Sequence, residues 1–196
     1  MKKILSVLLI YTLFAFFSYQ TADAATSIEE QKKEIIALYN SNNVEEAYKM
    51  VSRIMEKDRD YEVWYILANL SQDLGSDENA VFFLKKSILL NPEYDKAHYN
   101  LGNIYLKQYK YNSAINEYKT AIKYKKDYPY YYYNLGCAYL GQKEYDGAKV
   151  AFKKAISLKK DEPSFYYNLA LTYKQLDNKK EAQKALDKYN ELNKEE

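Results

Sequence analysis

Chemistry in this chain would have to start from very few reactive side chains. His98 is the only histidine and Cys137 the only cysteine. A cysteine nucleophile needs a histidine base within hydrogen-bond reach. These two fall in neighbouring segments at different positions, one early in its predicted helix and the other midway. A zinc site needs several Cys or His ligands, and a single one of each does not supply them. No basic neighbour in sequence lowers the Cys137 pKa, so that thiol reads as a packing residue. No glycine-rich phosphate loop is present. Asp and Glu collect at predicted helix starts and turns, where capping and dipole effects place them. The chain therefore reads as a non-enzyme, with no catalytic residue, cofactor or metal expected. What recurs instead is tyrosine next to asparagine, as in Tyr99-Asn100, Tyr133-Asn134 and Tyr167-Asn168. Asparagine amides pair with the N–H and C=O groups of a bound chain, and tyrosine gives a large contact area at low entropy cost. That is the chemistry of binding.

The elements that position these residues repeat. Leu67, Leu101, Leu135 and Leu169 are each 34 residues apart, as are Ala80, Ala114, Ala148 and Ala182. Ala68, Gly102, Gly136 and Ala170 follow the leucines directly. Leu101, Tyr105 and Gln108 recur at helical spacing, and so do Ala114, Tyr118 and Ala121. Each helix thus has an apolar stripe with small residues set into it. Small residues let two helix backbones approach, and large ones fill the space beside them. A helix pair cannot bury both faces alone, so the pairs must stack. The fold expected is all-α, a solenoid of stacked antiparallel helix pairs.

The stretch from Tyr99 to Ile122 resembles a tetratricopeptide repeat. The family's opening aromatic slot holds Trp64, His98, Tyr132 and Tyr166, which implies a structural role for His98. Tyr105, Tyr139 and Tyr173 close the first helix, with Ser71 in the earliest full copy. Leu84, Tyr118, Phe152 and Leu186 fill the large slot of the second helix. Ser87, Ala121 and Ala155 fill the next small slot, which Tyr189 breaks. A degenerate copy precedes these four, with Ala47, Val51 and Ile54 on its second helix. The resemblance implies about five repeats, at 28–60 (degenerate), 61–94, 95–128, 129–162 and 163–196. The family's proline near the end of the second helix survives only as Pro92, with Lys126 and Lys160 at the matching positions. Pro129 and Pro163 stand three residues later, where proline opens a helix.

The first helices line the concave face in this family. The resemblance therefore implies a peptide-binding groove built from Tyr65, Asn69, Lys96, Tyr99, Asn100, Asn103, Lys107, Tyr133, Asn134, Tyr167 and Asn168. Members that grip a C-terminal carboxylate use cations on these helices. Here the asparagines match and the cations do not, so a carboxylate clamp is not expected. A tyrosine-lined groove also suits a sugar chain stacked on aromatic rings.

Residues 1–24 have the layout of a secretory signal. Lys2 and Lys3 precede an apolar run from Ile4 to Phe17, and Ala22-Asp23-Ala24 offers a cleavage site. A helix of about 14 residues is only about 21 Å long, short for a hydrocarbon core of about 30 Å. Cleavage after Ala24 and an exported, periplasmic or secreted protein are expected. The alternative is an uncleaved helix kept as an anchor. No membrane span is expected once the signal is removed, and residues 25–196 then form one repeat domain. The whole chain carries a net charge of +2. This near balance argues against a nucleic-acid partner, which would demand a basic face. The function expected is a non-catalytic adaptor of the cell envelope that binds a protein or peptide. A cell-wall glycan module and a self-assembling structural protein are the alternatives. Homodimerisation through the C-terminal face is weighed against the polar residues of the last helix, Gln183, Lys184, Asp187, Lys188 and Asn190.

Overall fold

The computed structural model describes residues 28–194. The expected signal segment, 1–24, lies outside the described residues. The chain divides into two compact units, up to Ala80 and from Val81 onward. Among the described residues every regular element is a helix.

The first unit holds α1 (28–40), α2 (Val44–Ser52), α3 (Tyr61–Asp73) and the first turn of α4 (Asp77–Leu90). Ile35, Ala47, Val51, Val63 and Leu67 are its buried stripe. Lys32 ties α1 to the start of α3, because its buried ammonium meets Glu29, Asp60 and Glu62. Burial works against that charge, but hydrogen bonds to Asp60, Glu29 and Glu62 raise its pKa above the ordinary lysine value. Asp60 also caps α3 by accepting from the Val63 backbone N–H at 2.9 Å. The structure corrects one expectation here. Ile54 is buried, yet it lies beyond the end of α2. A short 3₁₀ turn at Glu56–Asp58 takes over where the later second helices run on. The shortfall of one residue in the repeat period falls in this stretch between Val44 and Asp60.

The second unit contains the rest of α4, then α5 (Asp95–Lys107), α6 (Tyr111–Tyr124), α7 (Pro129–Gly141), α8 (Tyr145–Leu158), α9 (Pro163–Gln175) and α10 (Lys179–Leu192). α5 packs on α6, α7 on α8 and α9 on α10, while α6 packs on α7 and α8 on α9. The first helices α5, α7 and α9 also approach one another directly. Pro129 and Pro163 open α7 and α9, where no N–H is needed.

Side-chain size is matched across each pair. Tyr118 and Phe152 are fully buried. A Cβ built on Gly102 would lie 2.7 Å from the Tyr118 ring, and one on Gly136 would lie 2.6 Å from the Phe152 ring. These aromatics fit only because their facing residue has no side chain. In the last pair the same two slots hold Ala170 and Leu186, which share one core cluster. A smaller large-slot residue leaves room for a methyl group. Each buried aromatic contributes about 1.5–3 kcal/mol through burial alone.

Two turns alternate. Within a repeat, the second residue beyond the first helix sits in the left-handed region: Asn42, Gly75, Tyr109, Lys143 and Asp177. The next N–H then closes a bond of 2.8–2.9 Å to a carbonyl five residues back, as from Lys110 to Tyr105 and from Glu144 to Tyr139. Gly75 suits this backbone without strain, and Asn42 and Asp177 are of the types that tolerate it. Tyr109, with φ of 58° and most of its surface exposed, is the least suited. Tyr109→Gly is expected to stabilise the chain by about 0.5–1 kcal/mol, since the left-handed strain exceeds the added chain entropy. A shift of the denaturant midpoint to higher concentration at unchanged slope checks it.

Between repeats, the opening-slot side chain reaches back six residues to a backbone carbonyl. Tyr132 donates to Lys126 O at 3.1 Å and Tyr166 to Lys160 O at 2.9 Å. His98 Nε2 faces Pro92 O at 3.0 Å in the same way. The turn geometry therefore does not need the family's proline, because the carbonyl at that position is held whether the residue is Pro92, Lys126 or Lys160.

Candidate functional site

The residues singled out from sequence divide between the two units. Tyr65 and Asn69 lie on α3, half-buried, in the first. The others lie on α5, α7 and α9 in the second. Asn134 donates from its amide nitrogen to Asn103 Oδ1 at 2.8 Å and to the Tyr99 hydroxyl at 3.1 Å. Tyr118, from the second helix, donates its hydroxyl to the same Asn103 oxygen at 2.8 Å. One repeat further, Asn168 donates to the Tyr133 hydroxyl at 2.8 Å and to Ser164 O at 3.1 Å. A polar ladder thus joins the three first helices, each asparagine reaching the tyrosine of the preceding repeat. Tyr99, Asn103, Tyr133, Asn134 and Asn168 come together in it. Tyr167 instead packs its partly exposed ring against Tyr189 of α10 at 5.3 Å. Lys96 and Lys107 are exposed at opposite ends of α5, and Asn100 is half-buried on the same helix.

The ladder fixes how these amides are oriented. The N–H groups of Asn134 and Asn168 point into the protein's own bonds. Their carbonyl oxygens are not sealed in the interior without a partner, since among the described residues no buried side-chain oxygen or nitrogen lacks one. Burial raises the Tyr99 pKa, and burial together with Cys137 pushes Tyr133 up to about 12. Burial likewise pushes the Cys137 thiol up to about 11. At neutral pH the row is uncharged and unreactive, a surface of phenols and amides.

Sequence reasoning missed the neighbours of this row. Tyr99 lies 4.8 Å from Tyr131 and 6.2 Å from Tyr128, ring to ring. The Tyr131 hydroxyl donates to Asp95 at 2.6 Å. Lys159 donates to the Tyr130 hydroxyl at 2.9 Å and to Glu162 at 3.0 Å. The signal was the tyrosine run from Tyr130 to Tyr133, in which alternate members meet different helices. His98 and Cys137 sit apart from any shared bond: His98 pairs with Glu117 at 2.6 Å, and Cys137 packs in the cluster around Phe152. Glu29, Asp60 and Glu62 lie close enough together to share a cation. The Lys32 ammonium already fills that role, so the cluster is an ion-pair network. Among the described residues no helix is long and apolar enough to cross a membrane.

Stacked helix pairs that share one polar ladder define a repeat scaffold with an extended first-helix face. The tetratricopeptide-repeat pattern matches residues 61–94, 129–162 and 163–196, with a further match at 83–116. A TPR repeat pattern matches residues 102–143. The chain belongs to the tetratricopeptide-repeat family, and its fold is the family's right-handed solenoid of antiparallel helix pairs. Members of this family are generally non-catalytic scaffolds for protein–protein interaction. Among solved structures it is similar to MamA 41-end from Desulfovibrio magneticus RS-1, with 23% identity and a TM-score of 0.79 over 86% of this chain and 96% of that one. It is also similar to a crystal structure of MamA, with 26% identity and a TM-score of 0.76 over 81% and 94% of the two chains. A search of curated protein sequences finds no match.

Proposed function

We propose that the chain is an exported adaptor of the cell envelope that holds an extended peptide segment of a partner protein along the first-helix face of its second unit. The reading rests on the ladder. It sets tyrosine rings and asparagine carbonyls at one spacing along α5, α7 and α9. Asparagine carbonyls that the ladder does not use can accept from the backbone N–H groups of a bound strand, and the half-buried rings can pack against its side chains. The direct approach of α5 to α7 and of α7 to α9 supports taking this face as the inner side of the unit. The segment with Lys2, Lys3 and Ala22-Asp23-Ala24 supports export.

The test begins with a cross-linking pulldown from the native envelope and continues by titration calorimetry with the partner it yields. Replacing Asn100 and Asn134 with alanine is expected to weaken binding roughly five- to a hundredfold, at about 0.5–1.5 kcal/mol per lost hydrogen bond. Asn134 also belongs to the ladder, so a thermal melt of the same variant separates lost contact from lost fold. Lys119→Ala with Lys153→Ala, exposed on α6 and α8, should leave affinity unchanged. Weaker binding in the lysine pair alone would move the working surface to the second helices. Retention on purified cell wall without a protein partner would favour the glycan reading. A mass that rises with concentration would favour self-assembly.

A further inference from the structure

We infer that His98 makes the turn between α4 and α5 a proton-dependent clasp, closed when the imidazole is doubly protonated and loosened when it is not. Three turns between repeats are built alike. In each, one side chain holds the carbonyl six residues earlier: Tyr132 on Lys126, Tyr166 on Lys160 and His98 on Pro92. A phenol has one proton and one task here, and it keeps both across the physiological pH range. The imidazole has two tasks. Nε2 faces Pro92 O at 3.0 Å, and Nδ1 faces Glu117 Oε2 at 2.6 Å. A backbone carbonyl and a carboxylate are both acceptors only. Each ring nitrogen must therefore carry a proton for both bonds to exist. A neutral ring keeps one bond and turns a lone pair toward the other acceptor, whichever tautomer it adopts.

The groups around the ring all favour the cation. Glu117 reaches it from α6, and Asp95 lies in the first turn of its own helix, accepting from Tyr131 of α7. The Tyr124 ring of α6 stacks on the imidazole with centroids 6.4 Å apart. His98 is buried, and burial opposes charge. The hydrogen bonds to Glu117 and Pro92 and the fields of Glu117 and Asp95 outweigh it, so the pKa rises above the ordinary histidine value. The sign follows from linkage. A folded pKa above the unfolded one gives stability that is fully present below the unfolded value. That stability is lost as pH rises through the folded value. The α4–α5 turn thus weakens on the alkaline side, while the tyrosine-held turns do not.

The test uses the full chain without added histidines. His98 is the only histidine, so its ring proton resonances need no assignment. Their titration should show a pKa above about 6.5. Hydrogen exchange, corrected for the intrinsic rate, should accelerate roughly two- to tenfold at residues 91–95 between pH 6 and pH 8.5, the factor expected for one lost hydrogen bond. Residues 125–129 and 159–163 should show no such change. His98→Tyr, which installs the residue found in the other turns, should remove the pH dependence. Should that variant fail to fold, Glu117→Gln serves: it should lower the histidine pKa and move the transition to lower pH. A histidine pKa at or below the ordinary value, or equal acceleration in all three turns, would overturn the proposal.

Discussion

Gly136→Leu should destabilise the chain by about 2–3 kcal/mol, through overpacking of a site that has no space for even one carbon. The Phe152 ring lies within 3 Å of where a Cβ would stand. That ring is fully buried and cannot swing into solvent. Gly136→Ala should therefore already cost about 1 kcal/mol or more. Combining Gly136→Ala with Phe152→Leu recreates the pair that Ala170 and Leu186 form in the last repeat. The double variant should be more stable than the two single effects predict, with a coupling of about 0.5–2 kcal/mol. Denaturant titration of the four chains measures it. Additive effects would mean that glycine and ring do not meet.

Tyr118→Ala is expected to cost more, about 3–5 kcal/mol, as a large side chain leaves a cavity between α5 and α6. The ring covers Gly102, and its hydroxyl bonds Asn103 at 2.8 Å. Two effects are mixed in that number, and Tyr118→Phe separates them. It keeps the ring and removes one bond to an oxygen that still accepts from Asn134, so it should cost only about 1 kcal/mol. A loss in Tyr118→Phe as large as in Tyr118→Ala would place the energy in the ladder rather than in the packing.

Much of this was legible in the residue order because packing inside a repeat is local. Leu101 and Gly102 on one helix and Ala114 and Tyr118 on the next lie within about twenty residues, and a recurring slot states its own size. Even the pairing of glycine with an aromatic and alanine with leucine can be read sixteen residues apart in all four copies. The ladder could not be read the same way. Tyr99 meets Asn134 and Tyr133 meets Asn168 at 35 residues, one period plus one, an offset set by how one helix pair leans on the next. The slot of His98 was evident, but its partner Glu117 lies on the facing helix and shares no pattern with it. The early end of α2 was hidden because Ile54 stays buried beyond it, keeping the apolar stripe intact where the helix is lost.

The ladder also bears on how such a chain can change its length. Within the second unit, α7 and α9 each bring an asparagine that reaches backward, and α5 and α7 each bring a tyrosine that is reached from ahead. Removing residues 129–162, one whole period, would bring Asn168 to the place Asn134 now holds against Tyr99 and Asn103. Duplicating the same block would add one more rung of the same kind. The bonds between neighbours are thus written once per period and need no new partner when the number of periods changes. Deletions of any other size would set an asparagine against the wrong face of the next helix. Unequal exchange within such a coding sequence would therefore be tolerated in whole periods, and the first-helix face could be lengthened or shortened with its asparagine-to-tyrosine rungs kept in step.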